Sequence, residues 1–112
     1  MKNYYSPMED GYLLFENIIY YYKTYGEYPK YDRIEVITYW DKERINQALK
    51  YLIGKGIITA SKRVDGHYAS IKVTPDTWDL LKDKKKFKKK FGIELTLGLN
   101  PSLKFSLNAS EK

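Results

Sequence analysis

Cysteine is absent from this chain of 112 residues. Its absence excludes disulfides, thiolate nucleophiles and cysteine-ligated metal together, and it fits an intracellular protein. Histidine occurs once, at His67. One histidine without cysteine partners makes a poor metal site. No glycine-rich phosphate loop, nucleophile elbow or metal-ligand spacing appears. The sequence therefore predicts no enzyme, no cofactor and no metal. Long apolar runs are missing too. Tyr12–Phe15 and Ile18–Tyr22 fall far short of the ~20 residues that span a bilayer. Met1–Tyr5 lack the apolar core of a signal peptide, so the Asn108-Ala109-Ser110 sequon is read as chance.

What the chain does have is apolar and aromatic mass enough for one core: 43% hydrophobic and 16% aromatic, with twelve tyrosines. Its net charge is +6, which points to an anionic partner. The distribution is uneven. Residues 82–90 hold seven lysines and one aspartate, and the other 103 residues carry 13 basic and 13 acidic side chains. The whole excess lies in that block.

Ser6-Pro7-Met8-Glu9 is a helix start, with Ser6 as cap and Pro7 in the first position. The helix is expected to run to Tyr25 and stop at Gly26. Met8, Tyr12, Phe15, Ile19 and Tyr22 share a face, which Leu14, Ile18 and Tyr25 widen into a central core stripe. Glu27–Tyr31 is extended. Asp32-Arg33-Ile34-Glu35 reads as a capping box opening a short helix through Tyr39. Asp41 caps a longer helix to Ile53, whose inward face is Ile45, Ala48, Leu49 and Leu52. Gly54 and Gly56 stop it.

Ile57–Lys62 and His67–Val73 flank Asp65-Gly66, a two-residue type I′ turn signal. That turn pairs Val64 with His67, Lys62 with Ala69, Ala60 with Ile71 and Ile58 with Val73. The last two pairs are apolar and face one side. Arg63 with Tyr68 falls on the solvent side. Thr74-Pro75-Asp76 opens another helix with Trp78 and Leu81 inward. The lysine block continues it, with Leu80, Phe87 and Phe91 aligned and Gly92 as its end. Beyond it, Ile93–Leu107 forms a second hairpin candidate, apolar on one face. Such a hairpin is marginal alone and must pack on its own domain or on a partner chain.

Three groups of residues are candidates for contact. The outward face of the 41–53 helix carries Lys42, Glu43, Asn46, Gln47 and Lys50. Asn and Gln pair with adenine, Lys with guanine or phosphate; a polar face opposite an apolar stripe is also simply solvated. The hairpin tip offers Lys62, Arg63 and His67, with Lys72 farther back, suited to phosphate or minor groove or to water alone. Lys84, Lys85, Lys86, Lys88, Lys89 and Lys90 suit DNA phosphates. They equally suit an anionic membrane surface, or a solvated helix face anchored by Phe87 and Phe91. Glu9, Asp32, Glu35, Asp41 and Asp76 sit at helix starts, where capping accounts for them.

Arg33–Tyr39, Asp41–Ile53 and Ile57–Val73 together resemble the winged helix-turn-helix superfamily. Leu52-Ile53-Gly54-Lys55-Gly56-Ile57-Ile58 is similar to the helix-to-wing junction of its small prokaryotic, archaeal and viral regulators. The likeness covers residues 7–81, and the Tyr-, Lys- and Ile-rich composition resembles proteins of archaea, their viruses or other AT-rich genomes. It implies an α+β winged-helix domain over 1–81, with a basic helix and amphipathic hairpin appended over 82–112. It implies a repressor-like, sequence-specific regulator of transcription that binds double-stranded DNA as a homodimer. The 41–53 helix would enter the major groove and the 62–67 wing would touch backbone or minor groove. Localisation would be cytoplasmic and nucleoid-associated, and no membrane partner is expected. The alternative is a winged-helix protein-interaction module without sequence-specific DNA binding.

Overall fold

Helix α1 (Pro7–Tyr25) begins where Ser6 caps it, the hydroxyl accepting from the Glu9 amide at 3.3 Å. Pro7 sits in the first turn, where a missing N–H costs nothing. Gly26 ends the helix in the left-handed region, φ 76°, its amide donating to the Tyr22 carbonyl at 2.8 Å. The structure, a computed structural model, describes residues 6–91. The expected hairpin at Ile93–Leu107 and the helix stop at Gly92 lie outside the described residues.

Tyr12, Leu14, Phe15, Ile18 and Ile19 make the buried stripe of α1. Met8 and Tyr25, expected to share in it, are exposed. They occupy the first and last turns, which the packed elements leave open.

Helix α2 (Tyr31–Thr38) starts two residues earlier than the Asp32 capping box predicts. Lys30 is its N-cap and makes no side-chain cap bond, while Asp32 lies in the first turn. There its charge still favours the helix through the macrodipole. The physical reason for the shift is Tyr31, whose side chain is buried and anchors that turn. The early start and Pro29, which has no N–H for a ladder, also explain why residues 27–30 form no strand.

Tyr39 turns the chain in the left-handed region, φ 60°. Asp41 then caps α3 (Lys42–Gly54), accepting from the Arg44 amide at 2.8 Å. Ile45, Ala48, Leu49 and Leu52 are buried as the spacing predicts. Strands β1 (Ile58–Lys62) and β2 (Tyr68–Val73) form the one antiparallel sheet among the described residues.

The hairpin register departs from the two-residue turn halfway along. Ile58 pairs with Val73 and Thr59 with Lys72 as expected. Past a bulge, Ser61 pairs with Ala69 and Lys62 with Tyr68. Ser70, at φ 55°, lies opposite the slip and absorbs the extra residue. At the tip, the Gly66 amide donates to the Arg63 carbonyl at 2.9 Å and the Arg63 amide to the His67 carbonyl at 2.7 Å. Gly66, at φ 89°, thus closes a three-residue loop, in which a type I turn is followed by a left-handed position. The slip turns Tyr68 from the solvent side into the core and leaves Val64 fully exposed at the apex.

Thr74 caps α4 (Pro75–Leu80), accepting from the Thr77 amide at 3.3 Å. Thr77 is the fully buried residue of this helix, whereas Trp78 and Leu81 are only partly covered. The lysine block does not continue α4. Asp83 accepts from the amides of Lys85 and Lys86 at 3.1 and 3.2 Å and so starts a separate helix, α5 (Lys84–Phe91).

The core is one apolar cluster with α1 running through it. Gly11 lets α1 and α3 approach closely, since a Cβ there would lie 3.0 Å from Tyr51 Cδ2. Phe87 of α5 stacks on Phe15, ring centroids 5.9 Å apart. The Tyr12 hydroxyl donates to the Phe91 carbonyl at 3.3 Å. The architecture is α+β, and among the described residues no helix is long and apolar enough to cross a membrane.

Candidate nucleic-acid interface

Opposite its apolar stripe, α3 exposes Glu43, Gln47 and Lys50, with Asn46 half-buried beside them. Lys42 is exposed but turns toward α2, where its ammonium pairs with the Glu35 carboxylate. The face therefore mixes an acid, two amides and a lysine, and has no positive excess.

The hairpin joins this face through one side chain. The Tyr31 hydroxyl donates to Asn46 Oδ1 at 2.8 Å. The same ring stacks on His67, nearly parallel, at 4.6 Å between centroids. Tyr31 thus connects the start of α2, the polar face of α3 and the base of the hairpin tip. Burial, and after it the carboxylates of Glu35, Asp41 and Asp65, push the Tyr31 phenol up to about 12. It stays a hydrogen-bond donor at neutral pH.

At the tip, Asp65 accepts from the His67 amide at 3.0 Å. That bond, with His67 and Arg63 nearby, holds the Asp65 carboxyl below the usual range. Arg63 Nε lies 3.5 Å from the Asp65 carboxylate, so part of the basic charge of the tip is met internally. Lys62 reaches over the Tyr68 ring at 5.4 Å. Between the hairpin and residues 28–32 runs a groove of about 690 Å³, bordered by Tyr28, Tyr31, Arg63, His67 and Lys72.

Helix α5 presents Lys85, Lys86, Lys88, Lys89 and Lys90 to solvent, while Phe87 and Phe91 go into the core. Lys88, Lys89 and Lys90 occupy its last turn, where cations complement the macrodipole. Tyr12 connects α5 to α3, because its ring meets the Tyr51 ring edge-on at 5.8 Å.

The structure thus brings the α3 and hairpin residues together through Tyr31, and it puts the lysine block on the α1 flank. Three contributors are not legible from residue type. Tyr31 reads as one more tyrosine of an extended segment. Arg44 reads as an ordinary helix residue, yet it forms a bidentate pair with Asp10 at 2.7 and 3.0 Å and stacks on Trp40 at 4.0 Å. Val64 is hidden by the assumed turn length. Comparison of the chain with family models, curated proteins and solved structures finds no match.

Proposed function

We propose that the protein is a winged helix-turn-helix regulator that binds double-stranded DNA sequence-specifically as a homodimer. In this proposal α3 enters the major groove, the hairpin is the wing, and α5 contacts phosphates. The observation that carries it is the Tyr31 junction. A capped helix with Asn46 and Gln47 on its open face is tied at 2.8 Å and 4.6 Å to an exposed hairpin, so both can meet one ligand surface. The unbalanced lysines of α5 supply the electrostatic term that the α3 face lacks. The proposal includes a repressor-like role in the cytoplasm, on the nucleoid.

The test is binding to random duplex across a salt series, followed by selection of preferred sites. Binding should weaken steeply with salt, and the selected sites should be palindromic. Gln47→Ala should change the selected sequence more than it changes affinity for random duplex. Absence of duplex binding at low salt would reject the proposal.

A second reading, a protein-interaction module, is favoured by an aromatic groove between α1 and α2. It measures about 300 Å³ and is bordered by Tyr20, Tyr21, Tyr25, Arg33 and Ile37. Failure to bind duplex, together with self-association lost on Tyr21→Asp, would favour that reading instead.

A further inference from the structure

Asn46 does not meet a ligand as a freely rotating amide. Tyr31 Oη lies 2.8 Å from Asn46 Oδ1 and 3.4 Å from the Lys42 carbonyl oxygen. A phenol has one proton to give. With Oδ1 turned toward Tyr31, that proton makes a bond of good length. With the amide flipped, Nδ2 would donate to the phenol, and the proton would be left with an acceptor at 3.4 Å, longer than a sound O–H···O bond. The Tyr31 ring cannot swing to follow a flip, because it is buried and stacked on His67. The hydroxyl therefore selects one orientation of the amide, with both Nδ2 protons turned away from Tyr31.

We propose that Tyr31 is a positioning residue that sets base preference: by holding Asn46 Oδ1 toward itself, it turns the amide's N–H donors rather than its oxygen toward DNA and favours guanine over adenine at the base Asn46 reads. Guanine shows two acceptors, N7 and O6, in the major groove. Adenine shows an acceptor and a donor, and its bidentate partner must supply both from one amide. The inference rests on the DNA-binding proposal above.

The test compares site selection from a randomised duplex by the wild type, Tyr31→Phe, Asn46→Ala and the double variant. Tyr31→Phe keeps the stacked ring and frees the amide. It should lower the guanine-to-adenine ratio at one position roughly fivefold, the worth of one hydrogen bond. The salt slope of binding to random duplex, which phosphate contacts set, should not change. Asn46→Ala should abolish the preference, and adding Tyr31→Phe to it should change nothing. Should Tyr31→Phe fail to fold, Asn46→Asp tests the outward donors themselves, since it keeps an acceptor for Tyr31 and lacks them; it should lose the guanine preference.

An unchanged ratio in Tyr31→Phe, or a guanine preference retained in Asn46→Asp, would overturn the inference while leaving duplex binding intact. A wild type that binds no duplex at any salt would remove the DNA-binding proposal itself, and the reading role of Asn46 with it.

Discussion

Single side chains do the joining in this protein. Asp10 is almost fully buried and its two carboxylate oxygens accept from Nε and Nη2 of the Arg44 guanidinium fork. Such a pair adds little net stability, yet removing one partner strands the other charge. Arg44→Ala is therefore expected to destabilise the fold by about 3 kcal/mol, and Asp10→Ala in the same chain should recover most of that loss. Urea unfolding of the single and double variants measures both. Tyr31 gives a pH effect of defined sign. Its phenol ionises near 10.0 when unfolded and about 12 when folded. The folded state thus favours the neutral form, a contribution fully present below pH 10 and lost as pH rises toward 12. Stability should fall over that alkaline window, and Tyr31→Phe should flatten the fall. An equal slope in both proteins would show that the phenol is not shielded.

At the scale of elements, α5 is a charged helix held by two rings. Its sequence sets Lys84 against Lys88, Lys85 against Lys89 and Lys86 against Lys90, all like-charge neighbours one turn apart. Each pair costs a few tenths of a kcal/mol. What offsets this is burial of Phe87 and Phe91, the Asp83 cap, and lysines at the negative end of the helix. Phe87→Ala should remove about 4 kcal/mol, a large-to-small cost at a fully buried ring. Most of the stability of a small domain is of that order. Thermal unfolding should therefore show a steep loss, and a shift of a degree or two would mean that α5 is not part of the core.

Helix α1 and the start of α3 are legible because Ser6, Gly26 and Asp41 are local chemical signals that act within one turn. The bulge at Ser70 is not, because Asp65-Gly66 suits either a two- or a three-residue loop. Burial of the Tyr68 ring decides between them, and that is a tertiary effect. The start of α2 is misplaced for the same reason: the packing of Tyr31 outweighs the Asp32 cap. Of the candidate site, the polar face of α3 and the lysine block are legible from periodicity. The Tyr31 junction is not, since it spans three elements distant in sequence.

For the whole molecule, charge and shape are divided between two regions. The α3 face and hairpin carry amides and charges that are paired internally at Lys42–Glu35 and Arg63–Asp65. The net charge of +6 equals that of residues 82–90, most of which form α5. If α5 is the clamp and α3 the reader, the two should separate in one experiment. Replacing Lys84, Lys85, Lys88 and Lys89 with glutamine removes four cations and two like-charge pairs. Each lost phosphate contact lowers the slope of log affinity against log salt by about 0.9, so the slope should fall by about 3 to 4. The preferred sequence should be unchanged, because phosphate contacts carry no base information. The fold should meanwhile become slightly more stable, because repulsion within α5 is relieved. Weaker binding by a more stable protein is a combination that damage to the fold cannot produce. Unchanged affinity in the fourfold variant would instead assign α5 a purely solvated role, and the DNA-binding proposal would then rest on the α3 face and the hairpin alone.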